Sequence, residues 1–292
     1  MPVAASPLVP ASTSASTLVP AATWQPQAAA HAERADALTA TWREAREAGR
    51  RHAIEDFLFS YYPARIGILR RWHPGAGVVL EIRDDDERRG WRWHRTVARG
   101  GATGVTLDVP AFFTERGDTV RWIGSFVART AARPGTFGCF GLHEWAMVYR
   151  DTEQGRDHRH PLPLRLGGAG TDAVVREHKI VCSHVDAFRF FTPEARDLNS
   201  LHPTREKQPA MEQPGCLHAG MDLFKWALKL APALPGDLLL DCFELARDIR
   251  YTDMQASPYD VSAYGLEPVA IETPGGKAEY VRRQRGFAGS VR

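Results

Sequence analysis

The segment CLHAGMDLFKWALKL, residues 216–230, determines how the fold of this chain is interpreted. Its apolar residues recur every three to four positions, which is the spacing of one buried helix face. These residues are Leu217, Met221, Phe224 and Leu228. The next segment, DLLLDCFELARDIR at 237–250, is apolar around more than half of its helical circumference, which predicts a largely buried helix. The C-terminal third is therefore predicted to be mainly helical.

Shorter segments with β character precede these helices. GVVLEI at 77–82 and GVTLDV at 104–109 are predicted strands, separated by a charged stretch around DDDERR. We also expect strands in three further segments, PLPLRL at 161–166, DAVVREHKIVCS at 172–183 and EPVAIET at 267–273. The apolar spacing of GCFGLHEWAMVYR at 138–150 predicts a helix. This order of elements is typical of a single mixed α+β domain.

The first 30 residues form a segment without a charged side chain, rich in Ala, Ser, Thr and Pro. This composition predicts a disordered tail over residues 1–30. The segment also lacks the basic start and the continuous apolar core of a secretory signal. The folded domain is expected to span 31–292 and to begin with a helix near His31 that is interrupted around Gly49.

Composition limits the class of protein. Hydrophobic residues make up 43% of the chain, which is enough for a substantial core, yet no stretch approaches the roughly 20 apolar residues of a membrane span. The net charge of +2 is too small to indicate a nucleic-acid-binding protein by itself. The four cysteines, at 139, 182, 216 and 242, lack the C-x-x-C spacing of zinc and redox motifs. We therefore expect a soluble, cytoplasmic protein with reduced thiols.

The first candidate site is His143-Glu144-Trp145 on the predicted helix. A carboxylate beside an indole can have a raised pKa and act as a general acid or base. The alternative is an ordinary helix surface with Trp145 turned inward. The sequence does not match the zincin pattern H-E-x-x-H, because Met147 occupies the position of the second histidine.

The second candidate site is CSHVDAFRFFT at 182–192. If a strand continues through this segment, His178, Cys182, His184 and Asp186 lie on one face. His184 and Asp186 match the first two ligands of a facial iron triad, whose third ligand is a distant histidine. The third ligand would be His143, His202 or His218, in a metal-dependent hydrolase or oxygenase that binds iron or zinc. The alternative is a buried histidine held by a carboxylate.

The third candidate is a pair of polar stripes on the two C-terminal helices. His218, Asp222, Lys225 and Lys229 share one helix face, and Asp241, Glu244 and Asp248 share a face of the other helix. For the first stripe we expect a solvated surface. For the second, a solvated surface and a pocket wall are both open.

Six segments together resemble a family of bacterial proteins commonly labelled 3-methyladenine DNA glycosylases. They are RRWHPGAGVVLE, GCFGLHEWAMVYR, CSHVDAFRFFT, PGCLHAGMDLFKWALKL, ELARDIRYTDMQASPYD and AIETPGGKAEYVRRQR, which fall within about residues 50–288. The resemblance implies a DNA-repair enzyme that releases alkylated purines by hydrolysing the N-glycosidic bond, without a metal. Its partner would be DNA.

Such an enzyme extrudes a base, stacks it on aromatic rings and places a carboxylate near the sugar. On this interpretation Glu144 or Asp186 supplies the carboxylate, with His143 and His184 beside them. The stacking residues would be Trp145, Tyr149, Phe190 and Phe191. Phosphate contacts would come from Arg189, Arg205, Lys207 and the arginines at 282–285. A third possibility is a DNA-binding protein without catalytic activity.

Overall fold

Residues 17–156 and 160–290, which this computed structural model describes, form helices and one small sheet. The strands are β1 (Leu18–Val19), β2 (Val79–Glu81), β3 (His94–Arg99) and β4 (Ala102–Leu107). The helices are α1 (Ala21–Glu47), α2 (Asp56–Ser60), α3 (Ile66–Leu69), α4 (Val109–Ala131), α5 (Leu142–Ala146), α6 (Gly167–Glu177), α7 (Val185–Phe188), α8 (Pro193–Arg196), α9 (Gln208–Met211), α10 (Leu217–Leu230), α11 (Gly236–Ala256) and α12 (Pro274–Ser290). The predicted α+β class is confirmed.

The central element is the helical hairpin of α10 and α11, joined by residues 231–235. Leu217, Met221 and Phe224 are buried on the predicted apolar face of α10. On α11, five apolar residues are buried among them: Leu239, Leu240, Phe243, Ala246 and Ile249. Each large side chain among these contributes about 1.5–3 kcal/mol by leaving water. Both predicted helices are confirmed, and α12 packs against both of them.

The sheet has the strand order β1-β2-β4-β3. β2 pairs with β4 in antiparallel register, Leu80 opposite Val105, and β1 runs parallel to β2. β2 lies within the predicted strand at 77–82, and β4 overlaps the one predicted at 104–109 but begins two residues earlier. The sequence analysis did not predict β3, because its side chains are polar or small and most of them face solvent, so it lacks apolar alternation.

The predicted N-terminal tail is wrong over residues 17–30, where β1 and the start of α1 are ordered. Trp24 is 2% exposed, stacks on Trp72 and donates its indole N–H to the carbonyl oxygen of Glu81. Alanine is the strongest helix former, so an uncharged alanine-rich segment can be helical when one large aromatic residue anchors it. Residues 1–16 lie outside the described residues. The predicted interruption at Gly49 is confirmed, since α1 ends just before it.

The three other predicted strands are wrong. Residues 167–177 form α6, in which Val174 and Val175 are buried although β-branched pairs favour strands. Residues 267–273 are irregular, with Val269 and Ile271 buried in the core. In PLPLRL, Leu164 makes an isolated bridge to Tyr259 rather than a strand.

The long helix α4 has no counterpart in the sequence analysis. The sequence does contain a signal for the start of this helix, namely Asp108. Its carboxylate accepts a hydrogen bond from the backbone N–H of Ala111, as a helix N-cap does. Within the described residues, no helix combines the length and hydropathy that crossing a bilayer requires.

Candidate metal centre

Three histidines from separate segments lie in a row at the centre of the molecule. His143 is in the first turn of α5, His218 is in the first turn of α10, and His184 directly precedes α7. The ring centroid of His218 lies 4.5 Å from that of His143 and 5.0 Å from that of His184. All three side chains are buried. We call these residues the imidazole row.

Tight backbone contacts bring the first of these segments into place. Gly141, which precedes α5, has a left-handed φ of 70°, a conformation that favours glycine. A Cβ atom at Gly215, next to the start of α10, would lie 2.3 Å from the carbonyl oxygen of Thr136. The loop before α5 therefore passes directly against the start of α10, and His143 meets His218.

His184 lies between two buried carboxylates. Its Nε2 atom is 3.5 Å from an oxygen of Glu212 and 3.5 Å from an oxygen of Asp222. Neither ring nitrogen of His184 has a hydrogen-bond partner, and neither does Oε1 of Glu212. Ligand atoms of the three residues lie within 4.8 Å of one another. Because buried polar atoms without partners are costly, this geometry fits a cation held between the three side chains.

A second group with metal-ligand spacing adjoins the first. Ligand atoms of His143, His218 and Asp253 also lie within 4.8 Å of one another. Nε2 of His143 is 3.2 Å from Oδ1 of Asp253. Arg250 donates to Glu144 at 2.8 Å and to Asp253 at 3.4 Å. Two histidines and one carboxylate are the ligand types of the facial triad of iron oxygenases.

The buried charges around the imidazole row do not balance. Four buried carboxylates, those of Glu144, Glu212, Asp222 and Asp253, face two fixed cations, Arg250 and the largely buried Lys225. Two negative charges are left without a fixed cation. In the absence of a metal, two imidazolium protons can balance them, and one divalent ion supplies the same charge.

The protonation of the histidines follows this balance. Burial opposes the charged form of His184, but the adjacent carboxylates of Asp222 and Glu212 outweigh it and raise its pKa to about 9. Burial also opposes charge on His143, whose pKa is nevertheless raised by Asp253. Burial and the positive charge of its two neighbours hold the pKa of His218 well below the ordinary histidine range. The middle ring is therefore neutral and able to donate a lone pair.

A cavity of about 200 Å³ opens beside the row. Four aromatic side chains line it, those of Phe57, Tyr61, Phe190 and Tyr259, and its polar lining includes Glu144, Asp186, His218 and Arg250. We call it the aromatic cavity. It gives a ligand access to His218 and to the Glu144–Arg250 pair, next to apolar ring faces.

A second cavity, of about 280 Å³, also borders the row. Its lining includes Cys139, Cys182 and Cys216 together with His143 and His218. We call it the thiol cavity. His218 lines both cavities.

Of the three predicted metal ligands, His184, Asp186 and His218, only the two histidines lie next to each other. The carboxylates that approach His184 are Glu212 and Asp222, whereas Asp186 binds Arg205 at 2.6 Å and Arg189 at 3.5 Å. The reason is that 185–188 is helical, so residues two apart do not share the face that a strand would give them. His202, an alternative third ligand, is exposed.

The predicted acid–base residues occupy different places. Glu144 and Asp186 line the aromatic cavity, His143 lines the thiol cavity, and His184 lies between its two carboxylates. The alternative of a buried histidine held by carboxylates therefore describes the surroundings of His184.

Three of the four predicted stacking residues lie in the core. Trp145, Tyr149 and Phe191 are buried there, and the Trp145 indole donates to the carbonyl oxygen of Ala256. Phe190 lines the aromatic cavity. Its other rings come from residues near 60 and near 259, which no local pattern connects to Phe190. Of the proposed phosphate contacts, Arg282 and Arg283 bind Glu279.

The two polar stripes behave oppositely. The first was expected to be solvated, but His218 and Asp222 are buried, because the surrounding segments cover this face of α10. The second stripe fits both alternatives: Asp241 and Glu244 are about half exposed and bind Arg34 across the surface. Together with Asp248 they also line an open cavity of about 850 Å³.

A repeated sequence signal for the centre was missed. Three of the four cysteines precede a histidine at short spacing, as Cys139/His143, Cys182/His184 and Cys216/His218. None of these cysteines is part of a C-x-x-C motif, so cysteine spacing alone does not reveal the pairs. Counting mixed Cys–His pairs would have selected all three members of the imidazole row.

Comparisons with protein-family models, with curated proteins and with solved structures found no match to this chain.

Proposed function

We propose that this protein is a metal-dependent hydrolase or oxygenase whose metal is bound by His184, Glu212 and Asp222. The observation that carries the proposal is the buried His184 ring without a hydrogen bond, 3.5 Å from two carboxylates. An imidazole with two carboxylates suits iron, manganese or zinc as a divalent ion. The neutral ring of His218, 5.0 Å away, extends the same ligand environment.

The remaining residues have roles that follow from their contacts. The metal, when bound, supplies a Lewis acid for activating water or an open position for dioxygen. Lys225 forms an ion pair with Asp222 and so holds this ligand in place. Arg250 fixes the Glu144 carboxylate at the wall of the aromatic cavity, where it can accept a proton from substrate or water. The rings of that cavity bind and orient an apolar, planar part of the substrate.

Metal binding tests this proposal directly. Mn²⁺ is the probe, because carboxylates and imidazoles bind it while thiolates do not select it. Equilibrium dialysis of the metal-free protein should show Mn²⁺ bound to the wild type. His184→Ala should weaken binding by more than the roughly 10–100-fold that loss of an outer-sphere partner costs. His202→Ala, at an exposed histidine, is the matched control and should bind as the wild type does. A folded wild-type protein that binds no Mn²⁺, or binds it equally without His184, would contradict the proposal.

A DNA glycosylase is the second candidate, and the aromatic cavity favours it. Two carboxylates, Glu144 and Asp186, stand beside its aromatic rings, and a cavity of about 200 Å³ is large enough for a planar purine. Arg189 and Arg205, each about half exposed, lie next to Asp186 and are available to phosphate. This function is the one that the resemblance to the bacterial glycosylase family implies, and it needs no metal.

Base release in the presence of a chelator separates the two candidates. If the protein is a glycosylase, it releases 3-methyladenine from alkylated duplex DNA with EDTA present. Glu144→Gln should then lower turnover by on the order of 10²–10³ with little change in DNA affinity, because the carboxylate acts on charge that develops in the transition state. Salt-dependent DNA binding without base release would instead indicate a non-catalytic DNA-binding protein. If the protein neither releases the base nor binds DNA, the glycosylase is excluded and the metal-dependent enzyme is the remaining candidate.

A further inference from the structure

His143, His218 and Asp253 form the second group with metal-ligand spacing, next to the group around His184. The Asp253 side chain is fully buried, and its Oδ1 atom has no hydrogen-bond partner among the described residues. This atom lies 3.2 Å from Nε2 of His143. A buried carboxylate oxygen without a partner is costly, so Oδ1 is available to a bound cation.

The other oxygen of Asp253 already has partners. Oδ2 accepts a hydrogen bond from Arg250 at 3.4 Å and lies 3.3 Å from Nε2 of His143. Arg250 also donates to Glu144, so its guanidinium is held between two carboxylates. A neighbouring donor that orients a ligand carboxylate is a usual feature of metal centres. Arg250 therefore holds Asp253 in place and leaves Oδ1 for a metal.

His218 supplies a neutral imidazole to this group. Burial and the charges of His143 and His184 hold the pKa of His218 well below its ordinary value. Its ring makes no hydrogen bond to a described residue. A neutral ring binds a metal without first losing a proton. Because His218 lines both cavities, an ion and its further ligands can reach this ring from either side.

The two groups lie side by side. The rings of His184 and His218, one from each group, are stacked with their centroids 5.0 Å apart and their planes inclined by 24°. In two-metal sites of hydrolytic enzymes the ions are about 3.5–4 Å apart. The spacing of the stacked rings therefore suits two neighbouring ions better than two remote sites.

A second ion changes the charge of the centre. One divalent ion offsets the two negative charges that the buried carboxylates leave, and a second ion adds two positive charges. Buried charges of this kind need partners, so an anion from solvent or an anionic group of the substrate must offset them. The aromatic cavity gives such a group access to His218. We therefore expect the second ion to bind together with an anion.

We propose that His143, His218 and Asp253 bind a second divalent ion of the iron, manganese or zinc class, beside the ion at His184. This inference rests on the proposed function, because the ion at His184 is one half of the pair. Two histidines with one carboxylate suit these metals. On binding, His143 releases its proton to solvent and a nitrogen lone pair forms the bond to the metal, so no oxidant or reductant takes part. Such a pair can hold both the attacking and the leaving oxygen of a displacement reaction.

The number of bound ions tests the proposal. Metal-free protein is dialysed against Mn²⁺ in acetate buffer, which supplies a small anion, and the bound ions are counted. We expect two ions per wild-type chain, and one ion in Asp253→Asn and in His143→Ala. Asp241→Asn, at an exposed carboxylate, is the matched control for Asp253→Asn and should keep two ions.

Loss of the first ion and loss of the second give different results. A wild type with one ion, which remains in Asp253→Asn and disappears in His184→Ala, would overturn the pair and leave the proposed function intact. A number of ions that His184→Ala does not change would contradict the proposed function, and the pair with it.

Electron paramagnetic resonance of the wild type needs no substitution, and it serves if a variant does not fold. An isolated Mn²⁺ ion gives a six-line spectrum, which a second Mn²⁺ ion a few ångströms away broadens. With two ions bound, we expect a six-line signal per ion that is severalfold weaker than that of an isolated bound ion. Two ions per chain with an undiminished signal would show that they bind far apart, and would overturn the proposal.

Discussion

Arg250→Met should lower the free energy of unfolding by about 3–5 kcal/mol, the typical cost of removing one partner from a buried ion pair. Arg250 is almost fully buried and donates to both Glu144 and Asp253. Methionine keeps much of the packing against Phe57, over which the guanidinium lies at 4.6 Å. The main loss is therefore electrostatic, because two carboxylates remain buried without their cation. Urea unfolding followed by circular dichroism measures it.

The control for this prediction is an exposed pair of the same type. Arg282 binds Glu279 on the surface of α12, and Arg282→Met should cost no more than about 1 kcal/mol. Adding Glu144→Gln to Arg250→Met should restore part of the lost stability, since it removes one of the unpaired charges. Equal effects of the buried and the exposed substitution would show that Arg250 does not neutralise the centre.

The stability of the metal-free protein should fall as the pH rises from about 6.5 to above 9. The pKa of His184 is raised to about 9 in the folded protein, above the ordinary value of 6.5, so the folded state holds its proton more tightly. This contribution is complete below pH 6.5 and is lost as the pH rises through about 9. The full loss corresponds to about 3 kcal/mol at 1.36 kcal/mol per pH unit.

The comparison with His184→Gln isolates this contribution. The variant lacks the titrating ring while His143 keeps its own, so the difference between the two stability profiles belongs to His184. EDTA-treated wild type and variant are unfolded in urea at several pH values between 6.5 and 9.5. If the free energy of unfolding of the wild type and of the variant changes with pH in parallel, His184 is not protonated between Glu212 and Asp222. Metal binding displaces the same proton, so affinity should rise with pH over the same range.

Local sequence patterns were sufficient for much of the helical framework. The stripe of Leu217, Met221 and Phe224 predicted α10 because the periodicity of a single helix decides which face is buried. Local preference failed where tertiary packing overrides it, as at Val174 and Val175 in α6. It failed also at Trp24, whose contacts are with Trp72 and Glu81, about 50 residues or more away along the chain.

The sequence was sufficient to select the histidines of the imidazole row as site residues, but not the carboxylates that surround them. His143, His184 and Asp186 were selected because each combines an ionisable group with aromatic neighbours. Asp222 and Asp253 reach the imidazole row because α10 and α11 pack as a hairpin. Glu212 reaches it because α9 ends close to His184. Such contacts depend on long-range topology, so no short motif contains both His184 and its partners.

A divalent ion is expected in the space between His184, Glu212 and Asp222. Crystals of the protein grown with Mn²⁺ and measured for anomalous scattering test it most directly. We expect an anomalous peak about 2.0–2.3 Å from Nε2 of His184 and from a carboxylate oxygen of both Glu212 and Asp222, distances typical of divalent metal–ligand bonds. A protonated His184 forming hydrogen bonds to the two carboxylates, with no peak between them, would contradict it.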